Sequence, residues 1–173
     1  NVAHNLSKCF FSIALLALLT SCATLHQDFT ADDLLVYTAE DDETIIRRHL
    51  PAFIIENPEE KNNRIGTPGA KSWGESEDNI FIDQEKPTIY AETRSFTTRQ
   101  DTYTNIIYRI HFAKIPFSLF PFYLGYGKNV GLIAIVTLNS EGLPILLTTV
   151  HTCGCYLAFT PTSYMPQAAY PEK

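Results

Sequence analysis

The sequence predicts an α+β domain, mainly antiparallel β-sheet or sandwich, with a helical region at its N-terminal end. Three observations lead there: a capped apolar stretch from Thr30 to Leu50, apolar–polar alternation from Tyr103 to Lys114, and two apolar runs joined by Asn139-Ser-Glu-Gly142. The domain expected is a single one, residues 30–173, because about 150 residues suit one core.

The residues before it have the order of an export signal. A polar start carrying Lys8 precedes an apolar core, Phe10 to Leu19, and the small residues Thr20 and Ser21. The apolar run falls short of the roughly 20 residues that span a bilayer. Leu19-Thr20-Ser21-Cys22 resembles the lipobox of bacterial lipoproteins. The resemblance implies that residues 1–21 are a signal peptide, that Cys22 is acylated and becomes the first mature residue, and that residues 22–29 carry the lipid and tether. Two or three acyl chains hold firmly, because each buried methylene contributes roughly 0.8 kcal/mol and one chain is marginal. Ala23 in place of an aspartate further implies an outer-membrane lipoprotein of the cell envelope facing the periplasm. A signal anchor or a plain cleaved signal is the alternative. Asn1 stands where a methionine would start a chain, so a fragment or a translated reading frame is expected.

Thr30-Ala-Asp-Asp33 matches a helix-capping pattern, with acids where a helix N-terminus favours negative charge. The helix expected runs about 20 residues, broken near Ala39 to Asp42, with Leu34, Leu35, Ile45, Ile46 and Leu50 inward and Pro51 ending it. Ala52 to Glu56 is a short strand candidate. Asn57 to Asp78 is polar and rich in turn residues, which predicts a surface loop pinned by Trp73. Strands follow at Ile80 to Asp83, at Thr88 to Thr97 and at Tyr103 to Lys114. In the last, Ile106, Tyr108, Ile110 and Phe112 share one face and Asn105, Arg109 and His111 the other. Pro116 to Gly127 holds five aromatics and two prolines, so it caps a sheet end or lines a cleft. Val130 to Asn139 is apolar on nearly both faces and is expected to be a central, fully buried strand. The Asn139–Gly142 turn pairs it with Leu143 to His151.

Charge excludes one class of partner. Without residues 1–21 the chain carries 12 Lys+Arg against 19 Asp+Glu, a net of −7, which argues against nucleic acid and against direct attraction to anionic lipid. The expected partners are the membrane, through the N-terminal lipid, and an envelope protein. The acids crowd the first half: residues 28–101 hold 17 acids and 8 bases, while 102–173 hold 2 and 4.

Chemistry concentrates in His151-Thr-Cys153-Gly-Cys155. Once Cys9 leaves with the signal and Cys22 takes the lipid, Cys153 and Cys155 are the remaining thiols of the four cysteines. In an oxidising compartment such neighbours are disulfide-paired, metal-bound or buried. An extended strand would put His151, Cys153 and Cys155 on one side, and Gly154 permits a bend that closes either a strained, easily reduced disulfide ring or a soft-metal site. His151, Cys153 and Cys155 suit zinc or Cu(I), with His111 as the candidate fourth ligand. A Cys153 nucleophile with His151 as base needs a sharp turn to bring the two together. Asp101, His111 and the Ser and Thr residues lack a hydrolase spacing, so no catalytic residue is assigned and an enzyme is less expected than a binding protein.

Residues 130–160, a strand, the Asn-Ser-Glu-Gly turn, a second strand and Val-His-Thr-Cys-Gly-Cys-Tyr, resemble a group of uncharacterised bacterial exported lipoproteins with the signature H-x-C-G-C-Y. The resemblance spans roughly the second half of the mature chain and implies no particular activity. Its members tend to run on past the motif, so a truncated C-terminus is expected here. The reading is a membrane-anchored envelope lipoprotein with a binding or structural role, the alternative being a metal-binding or thiol-redox protein working through His151, Cys153 and Cys155.

Overall fold

The computed structural model describes residues 34–41, 43–71, 80–119 and 126–170. The expected signal peptide (residues 1–21), Cys22 and the tether expected to follow it, the expected Thr30–Asp33 cap and Trp73 lie outside these residues. Ten regular elements are named in chain order: β1 (Leu34–Tyr37), α1 (Ile45–Arg48), β2 (Phe53–Glu56), β3 (Thr67–Ala70), β4 (Ile80–Asp83), β5 (Tyr90–Thr97), β6 (Thr102–Ile115), β7 (Gly127–Leu138), β8 (Pro144–His151) and β9 (Ala158–Pro161). All sheet pairing is antiparallel: β5-β6-β7-β8-β9 form a five-stranded meander, and β1-β2 and β3-β4 form two small sheets.

The meander follows the alternation of the sequence. Ile106, Tyr108 and Ile110 on β6 stand opposite Val136, Ala134 and Leu132 on β7, so one face of the two strands is continuously apolar. Ile106 and Tyr108 are fully buried and Ile110 nearly so. Onto this face pack Phe53 and Ile55 of β2, Tyr37 of β1, Ile46 of α1, Leu50 and the wholly buried Ile65. A fully buried side chain such as Ile65 contributes about 1.5–3 kcal/mol by leaving water, and the half-buried ones less. The Tyr108 hydroxyl, deep in this layer, donates to the Ile46 carbonyl at 2.6 Å and so ties the single helical turn to the sheet.

Three expectations change. The long helix shrinks to the single turn Ile45–Arg48, capped by Thr44, whose side chain accepts from the Arg47 N–H. Leu34–Tyr37 is instead a strand paired with Phe53–Glu56. Val36 and Tyr37 suit a pleated surface, and four successive acids at Glu40–Glu43 give a continuing helix no apolar stripe. The expected loop contains a strand, Thr67–Ala70, that pairs with Ile80–Asp83 despite its proline and glycine. Strand β7 is central, yet its second face is only half-buried at Ile133 and Ile135, because among the described residues no layer packs there as one packs on Ala134 and Val136.

Tyr108→Phe should cost about 1–2 kcal/mol, because the Ile46 carbonyl loses its donor inside the core. Burial pushes the Tyr108 phenol up to about 12. In a denaturant titration the variant should unfold at lower midpoint with an unchanged slope, and in the parent protein Tyr108 should form no phenolate until the pH approaches that value.

Candidate functional site

Strand β8 is bounded at both ends by the same five-residue turn. In the first, Gly142 N–H donates to Asn139 O at 3.0 Å and Asn139 N–H donates to Leu143 O at 3.0 Å, with Gly142 at φ +79°. In the second, Gly154 N–H donates to His151 O at 2.8 Å and His151 N–H donates to Cys155 O at 3.0 Å, with Gly154 at φ +84°. Both are three-residue hairpin loops that need a left-handed residue in fourth place, and glycine supplies it without steric cost. Asn-Ser-Glu-Gly-Leu and His-Thr-Cys-Gly-Cys are thus two spellings of one backbone motif.

The second turn brings the sequence-predicted residues together. His151 Nδ1 lies 3.1 Å from Cys153 Sγ, and its ring meets Tyr156 edge-on with centroids 6.2 Å apart. Cys153 and Cys155 are free thiols and both are exposed. The Cys155 thiol donates to the Cys153 sulfur, and the Cys155 and Cys153 backbone N–H groups add to it. These donors pull the Cys153 thiol below its ordinary range, and the same hydrogen bond together with the Cys153 charge pushes Cys155 up. The two thiols therefore differ in role: Cys153 is the better thiolate and Cys155 the proton-holding neighbour.

The turn is pinned to the central strand. Thr152 N–H donates to Gly131 O at 2.9 Å, next to the last β7–β8 pair, Leu132 with His151. A Cβ on Gly131 would sit 2.4 Å from Ile110 O and 3.0 Å from Thr152 Cγ2, so the absence of a side chain lets the turn close down on β7. Beside it lies an open groove of about 370 Å³, floored by Gly127–Val130 and walled by Tyr126, His151, Thr152, Cys153 and Cys155. Asn129 in that floor has φ +53°, a left-handed kink that asparagine tolerates better than most residues. At the ends of the aromatic 116–127 segment, Phe117 and Tyr126 meet edge-on at 5.2 Å and are both exposed, and Tyr126 lines the groove. Residues 120–125 of it lie outside the described chain.

His111 is not brought to the thiols. It pairs with Gly131, one residue out of phase with the Leu132–His151 pair, and so stands on the opposite sheet face, edge-on to Tyr90 at 5.8 Å. Burial, helped by Arg109, holds its imidazole below the usual range. Asp101 accepts from Ser140 at 2.8 Å at the far end of β6, roughly 33 Å from His111 at about 3.3 Å per residue. Asp101 and His111 therefore form no joint centre. Among the described residues no three His, Cys, Asp or Glu side chains are arranged to hold a metal. A second cleft of about 360 Å³, between α1 and β5, is lined by Ile46, Leu50, Ile89, Ala91 and Tyr108 with Glu40 and Arg47, and brings no thiol or imidazole. No described helix is long and apolar enough to cross a membrane.

The groove is the feature that sequence reasoning missed, because Tyr126 and Cys153 are brought together only by the register between β7 and β8. Two outcomes follow. Alkylation of Cys153 should begin at lower pH than that of Cys155, and Cys155→Ala should move the Cys153 midpoint upward, since it deletes the thiol donor. Gly131→Ala should cost about 1–3 kcal/mol by crowding Ile110 O and Thr152, read as a lower unfolding midpoint. No protein-family model, curated protein or solved structure matches this chain.

Proposed function

We propose that this chain is a lipid-anchored envelope domain that carries out thiol–disulfide exchange at the Cys153–Cys155 turn. The observation that supports it most is the 3.1 Å approach of His151 Nδ1 to Cys153 Sγ on an exposed turn that also holds the second thiol. Cys153 thiolate attacks one sulfur of a substrate disulfide and forms a mixed disulfide. The departing substrate thiolate takes a proton, with His151 as the nearby carrier. Either the substrate's own thiolate then attacks the mixed disulfide and releases Cys153, a rearrangement without net electron transfer, or Cys155 displaces it. In the second case the dithiol gives up two electrons and two protons and the substrate disulfide is reduced to two thiols. A ring closed across one glycine is strained, so its disulfide form is readily reduced.

A binding or structural role without chemistry is the second reading. It rests on the exposure of Phe117, Leu119 and Tyr126, an apolar patch suited to an envelope partner.

With dithiobis(nitrobenzoate) as substrate, the full chain should release chromophore faster than free cysteine does near neutral pH. Cys153→Ser should abolish that excess, and Cys155→Ser should retain the first exchange and accumulate the mixed disulfide. Equal rates for the parent and Cys153→Ser proteins would refute the exchange reading. For the anchor, Cys22→Ser should move the protein from the membrane to the soluble envelope fraction and remove palmitate labelling.

A further inference from the structure

Strand β5 is an outer strand of the meander and is exposed along its whole length, Tyr90–Thr97. Where β5 turns into β6, the Thr98 N–H donates to Asp101 O at 2.8 Å, so the Thr98–Asp101 pair is hydrogen-bonded. Antiparallel pairs alternate. Tyr90, Glu92, Arg94 and Phe96 therefore bond to β6, while Ala91, Thr93 and Ser95 turn their N–H and C=O groups away from it. Among the described residues nothing pairs with that outer side. Edges are ordinarily blunted by shortness, a proline, a lysine or a bulge. The opposite edge, β9, has four residues and ends on Pro161. In contrast β5 has eight residues, an unbroken register with β6, and no proline, lysine or glycine.

We infer that β5 is a homodimerisation edge, on which a second copy of this chain lays its own β5 antiparallel about a two-fold axis at Thr93, joining the two meanders into one sheet. The register follows from the residues. Outward-facing residues must stand opposite outward-facing ones, which permits alignments centred on Thr93, on Glu92 or on Arg94. The last two set like charges face to face, Glu92 on Glu92 or Arg94 on Arg94. Centring on Thr93 instead sets Glu92 opposite the second copy's Arg94, twice by symmetry, at non-hydrogen-bonded positions where side chains approach closest. Glu92 and Arg94 also pair along one strand at 3.1 Å, so the four charges close into a ring. At each end Tyr90 faces the second copy's Phe96. Phe96 is stacked on Tyr103 at 5.4 Å and Tyr90 is edge-on to His111 at 5.8 Å, so each such contact joins two aromatic pairs into one row. On the face that carries the core layer, Ala91 meets Ser95 and Thr93 meets Thr93, small side chains throughout. The edge is thus complementary to itself in one register and repelled in the neighbouring two. The Cys153–Cys155 turn follows β8, on the far side of the sheet from β5, so both thiol pairs stay open in the dimer.

Native mass spectrometry of the full chain, released from detergent over a concentration series, tests this. The parent chain should give a dimer that dissociates on dilution. Thr93→Pro should be monomeric yet folded, with a denaturant midpoint near the parent's, because the N–H it removes points away from β6 and edge strands tolerate proline there. Glu92→Arg and Arg94→Glu should each weaken self-association about tenfold, since both opposite-charge pairs become like-charge pairs. An equimolar mixture of those two variants should regain the parent's affinity as a heterodimer of intermediate mass, which a change in monomer stability cannot produce. A parent chain that stays monomeric throughout the series, a dimer that forms equally well with Thr93→Pro, or charge variants that give no heterodimer on mixing would each overturn the inference.

Discussion

The register between β7 and β8 is the constraint on which the rest of the domain depends. The Asn139–Leu143 turn sets it, with the Asn139 side chain accepting from the Glu141 and Leu143 N–H groups and Gly142 supplying the left-handed residue. Side chains alternate along a strand, so a slip of β8 by one residue would carry Leu147 out of the core layer and turn His151 to the other face. In the observed register His151 stands opposite Leu132, Thr152 reaches Gly131, and the second turn folds back where the groove begins. A turn at one end of β8 thus determines where the thiols sit at the other.

Stability and chemistry occupy different parts of this sheet. One face of β6 and β7 is buried beneath β1, β2, α1 and Ile65, and the Tyr108–Ile46 hydrogen bond fastens the cover. The thiols lie beyond the end of β8, on a turn exposed to solvent, where a changing protonation or oxidation state disturbs little packing. A thiolate stabilised by local donors at the surface needs no buried charge, and no charged side chain is buried among the described residues.

Legibility in the sequence followed the strength of the local signal. The alternation of Ile106, Tyr108 and Ile110 located β6 and its core face, and Asn-Ser-Glu-Gly located the hairpin, because both signals are short-range and have one cheap solution. The stretch from Leu34 to Leu50 misled. Its capping pattern and leucines suit a helix, yet pairing with Phe53–Glu56 buries Tyr37 and Ile55 against the sheet, a gain that appears only in three dimensions. Thr67–Ala70 was hidden by its proline and glycine, which an edge of a two-stranded sheet tolerates. The bend at Gly154 was expected from the glycine alone. Its repetition of the 139–143 turn became apparent only from the hydrogen bonds, since His and Cys replace the usual turn residues at 151 and 153.

The central claim is that Cys153 and Cys155 work as one reversible dithiol. The most direct test is the intact mass of the full chain, equilibrated across glutathione buffers of increasing oxidation and then acid-quenched. Reversible conversion to a species lighter by two hydrogens, abolished by either Cys153→Ser or Cys155→Ser, is the predicted result. Its midpoint should lie at the oxidising end expected of a strained ring. Only stable glutathione adducts on each cysteine, with no two-hydrogen loss at any ratio, would contradict the account.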